Sequence, residues 1–232
     1  MSHYAVAVVH RKNQDINEML DPFYEGLEVT PYIEYTKGQA IAEARKYRSN
    51  THKSDEECWE WMAAYYPDDL KDEDGNLYTR YNSGSKWDWY VIGGRWDGFF
   101  RLKNGERVNE AKVSEIDFEP DPEQYSKWLR MWDVVVNGEE PANDDEKFAK
   151  GFYKPAYYTA RYDSREQYAV VHSTPTPGAI LTPEGNWLEP GQMGWFGISA
   201  AEAEDEREWN KNAANMLRQY DKYYVTIVDC HI

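Results

Sequence analysis

His3-Tyr4-Ala5-Val6-Ala7-Val8-Val9-His10 opens the chain, and Tyr223-Tyr224-Val225-Thr226-Ile227-Val228-Asp229-Cys230 closes it. Each is a short apolar run rich in valine and reads as a buried strand. Strands this apolar need partners on both edges, so the two ends of the chain are expected to meet in one sheet. That expectation favours one domain over two. The fold class that follows is α+β: a single globular domain over residues 1–232, with helices packed on one face of a mainly antiparallel sheet.

The segments between fill in that frame. Asn13 or Asp15 can cap a helix in which Ile16, Met19, Leu20 and Phe23 recur at helical spacing. Leu27 to Tyr35 reads as a second strand, pushed towards an edge by Pro31. Thr36-x-x-Gln39 and Ser54-x-x-Glu57 are capping boxes that open two more helices. Residues 68–86 read as a polar surface loop turning at Asp74-Gly75-Asn76. Asn104-Gly105 signals a hairpin between Phe99–Leu102 and Arg107–Val108.

Asp121-Pro122 starts a helix carrying Tyr125, Trp128, Leu129 and Trp132. Residues 137–147 read as a second surface loop, and the tyrosine-rich stretch to Tyr168 as partly irregular. Tyr168 to His172 is expected to be a strand, and Ala179 to Leu188 a hairpin. Ser199-x-x-Glu202 forms a last capping box before a helix burying Trp209, Ala213, Met216, Leu217 and Tyr220.

Bulk properties narrow the function classes. Hydrophobic residues make up 41% of the chain and aromatics 16%, which a disordered chain would not carry. Tyr4 to Val9 is the longest apolar run, far short of the ~20 residues of a membrane span. The N-terminus lacks the features of a signal peptide, so a cytoplasmic location is expected, that of the host cell if the gene is phage-borne. Cys58 and Cys230 are too few for a disulfide framework and read as free buried thiols.

The net charge of −16 argues against direct binding of nucleic acid. It leaves room for a basic protein partner or for a small ligand in a pocket of different local charge. Solubility alone accounts for it equally well.

No hydrolase, phosphate-loop, dinucleotide-fold or zinc-protease motif is present, so no catalytic residue and no cofactor is assigned. Asp229-x-His231, joined by His3 or His10 if the terminal strands are neighbours, is the nearest approach to a metal pattern. Alternate strand residues share a face, yet a hydrogen-bonded strand end is the better reading, and no metal site is assigned.

The run Trp87-Asp88-Trp89-Tyr90-Val91-Ile92-Gly93-Gly94-Arg95-Trp96 is different in kind. Paired glycines inside a strand pattern mark a bulge, a bend or a close approach to the backbone. Arginine offers a planar fork for a phosphate or carboxylate, and aromatic rings offer stacking worth roughly 1–3 kcal/mol per base. Gly191 to Gly197, with Trp195, has the same character. Trp89, Tyr90, Gly93, Gly94, Arg95, Trp96 and Trp195 are therefore the candidate ligand-binding residues. Tryptophans filling a core, with glycines making room for them, explain the same pattern.

The pieces HYAVAVV, WDWYVIGGRW, MGWFG and VDCHI resemble a family of phage and prophage proteins, also found in actinobacteria, that brings no established activity. The resemblance implies a setting in counter-defence, including sponges that sequester a nucleotide immune signal without turning it over. Two other readings stay open. One is an inhibitor whose acidic surface at 139–146 and 202–208 imitates nucleic acid before a basic host enzyme. The other is a metal-dependent hydrolase using Asp229 and His231.

Overall fold

The computed structural model describes residues 3–191 and 202–232. Strand β1 (His3–His10) is followed by a short helix α1 (Ile16–Leu20), where Asp15 is the N-cap and accepts the Asn17 N–H. Strand β2 (Tyr32–Tyr35), helices α2 (Lys37–Ala44) and α3 (Asp55–Ala63), and strand β3 (Leu77–Thr79) come next. Then run β4 (Trp89–Ile92), β5 (Phe100–Arg101), β6 (Arg107–Val108) and β7 (Glu110–Lys112). Four helices follow: α4 (Pro122–Val135), α5 (Asp144–Phe152), α6 (Pro155–Arg161) and α7 (Arg165–Ser173). The chain ends with β8 (Ala179–Leu181), β9 (Trp187–Leu188), α8 (Ala203–Arg218) and β10 (Tyr224–His231).

The fold class is α+β, and these elements cluster into two compact units, Met1–Asp21 with Lys86–Ile232, and Pro22–Ser85. The first holds the main sheet, in the order β4-β10-β1-β8-β9, with β7 also against β10. The terminal strands do lie side by side: β1 and β10 pair antiparallel from His3↔His231 to His10↔Tyr224. The β1–β8 pair is parallel, so the sheet is mixed.

One face of the β1–β10 pair is core. Ala5, Ala7, Val9, Val225 and Ile227 pack with Trp209, Ala213 and Leu217 of α8. Each fully buried Val or Ile here contributes roughly 1.5–3 kcal/mol, so this pair is the anchor of the unit. Nearby, α4 and α7 meet through Trp128, Trp132 and Tyr168.

The second unit is small. Antiparallel β2 and β3 carry Leu77 against Ala40 of α2 and Ala63 of α3. Both expected capping boxes are present, at Thr36 with Gln39 and at Ser54 with Glu57.

Four local expectations are corrected. Tyr168 to His172 lies in helix α7, because the Ser164 side chain accepts the Gln167 N–H and opens a helix that buries Tyr168, Ala169 and Val171. A short apolar run cannot distinguish a strand from a buried helix turn by itself. The strand expected over Leu27–Tyr35 starts only at Tyr32, one residue after Pro31, which has no N–H to pair.

The loop at 68–86 contains β3, and its turn closes where Asn76 donates to Asp72 and Gly75 takes φ +81°. The loop at 137–147 ends early: Asn143 accepts the Glu146 N–H and caps α5. Ser199 lies outside the described residues. The residue at the N-cap of α8 is Glu202, in a capping box with Asp205.

Candidate functional site at the end of the sheet

Strand register determines which side chains meet. Because side chains alternate along a strand, His3, His231 and Trp89 stand in one row on one face, through the pairs His3↔His231 and His231↔Trp89. The next row on that face is Ala5, Asp229 and Val91. Further along, the same face becomes the core under α8. The face thus changes from apolar to ionisable within the last two rows.

The two histidines are each held by a carboxylate. His3 Nδ1 lies 2.8 Å from Asp229 Oδ1, and His231 Nδ1 lies 2.7 Å from Asp88 Oδ1. Ionised carboxylates only accept, so each Nδ1 carries the hydrogen and each Nε2 keeps its lone pair when the ring is neutral. Among the described residues neither Nε2 has a hydrogen-bond partner. The Trp89 ring stacks on His231 at 5.0 Å between centroids, and the His3 ring stands edge-on to His231 at 4.9 Å. His231 is buried, whereas Trp89 is 45% exposed and offers a ring face to a ligand.

The glycine pair shapes the floor. β10 is bordered on one side by β4 and then β7, and the chain leaves and rejoins it around Ile227. Gly93 donates to the Ile227 carbonyl, and the Ile227 N–H donates to the Asn109 carbonyl. Gly93 and Gly94 take φ of +73° and +55°, in the left-handed region that favours glycine. A Cβ at Gly94 would stand 2.6 Å from the Asp229 Cβ and Oδ2. This close approach lets the Arg95 N–H donate to Asp229 Oδ2 at 3.0 Å.

Asp229 is therefore buried yet doubly held. Burial works to raise its pKa, but the Arg95 N–H, the His3 hydrogen bond and the charges of His3 and Arg95 outweigh it. The carboxyl sits below the usual aspartate range. The Arg95 side chain is exposed and makes no ion pair or hydrogen bond among the described residues, and its charge acts on Asp229.

The structure divides the residues singled out from sequence. Trp89, Gly93, Gly94 and Arg95 come together. Tyr90 points to the opposite face, with its ring edge-on to Trp87 and its hydroxyl donating to Asn17. Trp96 lines a separate cavity of about 420 Å³ with Phe99, Arg101, Arg107 and Trp128. The arginines of that cavity are engaged, Arg101 by Asp117 at 2.8 Å and Arg107 by Asp121 at 2.7 Å. His172, also in its wall, stacks on Trp128 and has its pKa pulled down to about 4 by burial. Trp195 lies outside the described residues.

Asp88 had no separate signal in the sequence. The sequence gives reason to consider His3, Asp229 and His231 only as a metal pattern. Among the described residues no group of three His, Cys, Asp or Glu side chains converges to hold a metal ion. His10 is elsewhere, with its Nε2 against Thr226 Oγ1. Also among the described residues, no helix is long and apolar enough to cross a membrane. Comparison of the chain with protein-family models, curated proteins and solved structures finds no match.

Proposed function

We propose that this chain binds a small, anionic, nucleotide-like ligand at the end of its sheet. In the phage setting that the sequence resemblance implies, this would remove a nucleotide signal from a host defence pathway. Arg95 meets the anionic group, and the exposed face of Trp89 stacks on the base or ring. The observation that carries this reading is Arg95, whose backbone N–H donates to Asp229 and whose side chain has no hydrogen bond or ion pair among the described residues, together with two histidines whose Nε2 atoms have no partner among those residues. An arginine close to two histidines suits an anionic group such as a phosphate.

The acidic-mimic reading has less support. Of the acidic residues it would rely on, Glu139 and Glu146 are paired with Arg130, Glu206 with Arg161 and Glu208 with Lys211.

Titration calorimetry against cyclic dinucleotides and ADP-ribose derivatives tests the binding. The wild-type chain is expected to bind at least one member of the panel. Arg95→Ala is expected to weaken that binding by about 10–100-fold, the equivalent of losing a charge-assisted hydrogen bond worth about 1.5–3 kcal/mol. Silence across the panel, or equal affinity in the variant, would overturn the reading.

A further inference from the structure

We propose that His3 and His231 act as an acid–base pair that cleaves a ribose phosphodiester in the bound ligand by attack of its own 2′-hydroxyl. This rests on the ligand-binding reading above and adds turnover to it. Two observations carry the proposal together. Both rings are oriented by a carboxylate at Nδ1, the arrangement that leaves Nε2 to take or give a proton. The rings also touch edge-on, with centroids 4.9 Å apart, which puts both within the span of one dinucleotide-sized ligand.

Contact between two imidazoles has a chemical consequence. A neutral imidazole can take a proton at Nε2 and a charged one can give a proton from it, so two rings in contact can present a base and an acid side by side. The charged groups around the pair are Asp88 against His231, Asp229 against His3, and Arg95 against Asp229.

The step balances without a metal or a redox partner. The neutral histidine takes the proton of the 2′-hydroxyl, and the 2′-oxygen forms a bond to phosphorus. The bond from phosphorus to the leaving ribose oxygen breaks, and the protonated histidine gives that oxygen its proton. The products are a 2′,3′-cyclic phosphate and a free hydroxyl, and the two histidines have exchanged protonation states. Arg95, whose N–H is held by Asp229, is the cation assigned to the charge that builds on the non-bridging oxygens. The net charge of −16 disfavours a long polyanion, so the substrate class is a short ribo-phosphodiester of dinucleotide size.

The experiment incubates the full chain, in the presence of EDTA, with ribo-ApA, cyclic di-AMP, deoxy-ApA and a long RNA, and follows products by chromatography. Calorimetry with deoxy-ApA reports binding separately. The expected result is cleavage of ribo-ApA or cyclic di-AMP to a 2′,3′-cyclic phosphate, with deoxy-ApA bound but intact. His3→Gln and His231→Gln should each slow cleavage by about 10²–10⁴-fold while leaving the bound state detectable. Asp88→Asn, at a partly exposed position, removes the carboxylate that orients His231 and should lower kcat while leaving KM little changed.

Binding without cleavage overturns the acid–base proposal and leaves the binding reading standing. Neither binding nor cleavage overturns both. Cleavage of deoxy-ApA, or unchanged rates in both histidine variants, overturns the 2′-hydroxyl mechanism. Preference for the long RNA overturns the short-substrate assignment.

Discussion

Asp229→Ala is expected to destabilise the unit that holds the main sheet by about 3 kcal/mol and to abolish ligand binding at the sheet end. The reason is the number of groups that one buried carboxylate satisfies. It accepts from His3 Nδ1 and from the Arg95 N–H, and it sits under Gly94 with 2% of its surface exposed. Removing it leaves a part-buried backbone donor unpaired and a histidine ring without its orienting partner. A loss of that size lowers the midpoint of thermal unfolding by about 6–12 °C in a unit of this length.

Asp229→Asn keeps an acceptor for the Arg95 N–H and should lose less. The two substitutions also differ from wild type in pH dependence. Asp229 has a lowered pKa in the folded chain, so its contribution is present above the ordinary aspartate value near 4 and fades as pH falls through the lower folded value. Both variants should lack that part of the acid-induced loss of stability. Thermal melts between pH 3 and pH 7 would show it as a shallower slope. A wild-type-like slope in Asp229→Asn would contradict the assignment.

Gly94→Ala is expected to cost about 2–5 kcal/mol and to weaken ligand binding more than tenfold. Two terms add here. A residue with a Cβ in the left-handed region costs about 1–2 kcal/mol. The new methyl must also displace Asp229 or Val91, whose nearest atoms would be 2.6 and 2.8 Å away, and forced overpacking costs about 1–3 kcal/mol. Moving Asp229 breaks its bond to the Arg95 N–H, so binding falls with stability.

Gly105 supplies the control. It takes φ +89° in the β5–β6 hairpin, and a Cβ there meets nothing within 4 Å. Gly105→Ala should therefore show only the backbone cost of about 1 kcal/mol, with binding unchanged. Equal losses in the two variants would mean that the contact with Asp229 is not what Gly94 provides.

How far the sequence goes can be seen residue by residue. HYAVAVVH and the closing valine-rich run announce buried strands because an apolar stretch of that length has few other uses, and their pairing follows from the need to cover two edges. The caps at Thr36, Ser54 and Asp121 are equally plain, since each satisfies orphan N–H groups by local geometry, whereas the first helix has two candidates in the sequence, Asn13 and Asp15, of which the structure uses Asp15. Helix α7 is not plain, because Tyr168 to Val171 has no periodicity that separates a strand from two buried helix turns. Its decisive signal, the Ser164 cap, lies outside the apolar run.

The site was half legible. Gly93, Gly94 and Arg95 drew notice as a break in a strand, and the structure shows why the break is there. The separation of Trp89 from Tyr90 follows from strand alternation alone. The choice of His3 over His10 as the partner of Asp229 and His231, and the arrival of Asp88, do not, because they depend on the register of three strands that lie far apart in sequence. One residue of slip in that register would put His3 and His231 on opposite faces. Local patterns cannot fix a register of that kind.

The measurement that tests the sheet-end site most directly is histidine-selective ¹⁵N NMR of the full chain, recorded while a ligand that binds in calorimetry is added. The His3 and His231 Nε2 signals are expected to shift together and to saturate with the calorimetric affinity. His172, in the wall of the separate 420 Å³ cavity, should stay still. A ligand that binds but moves His172, and leaves His3 and His231 where they were, would contradict the account.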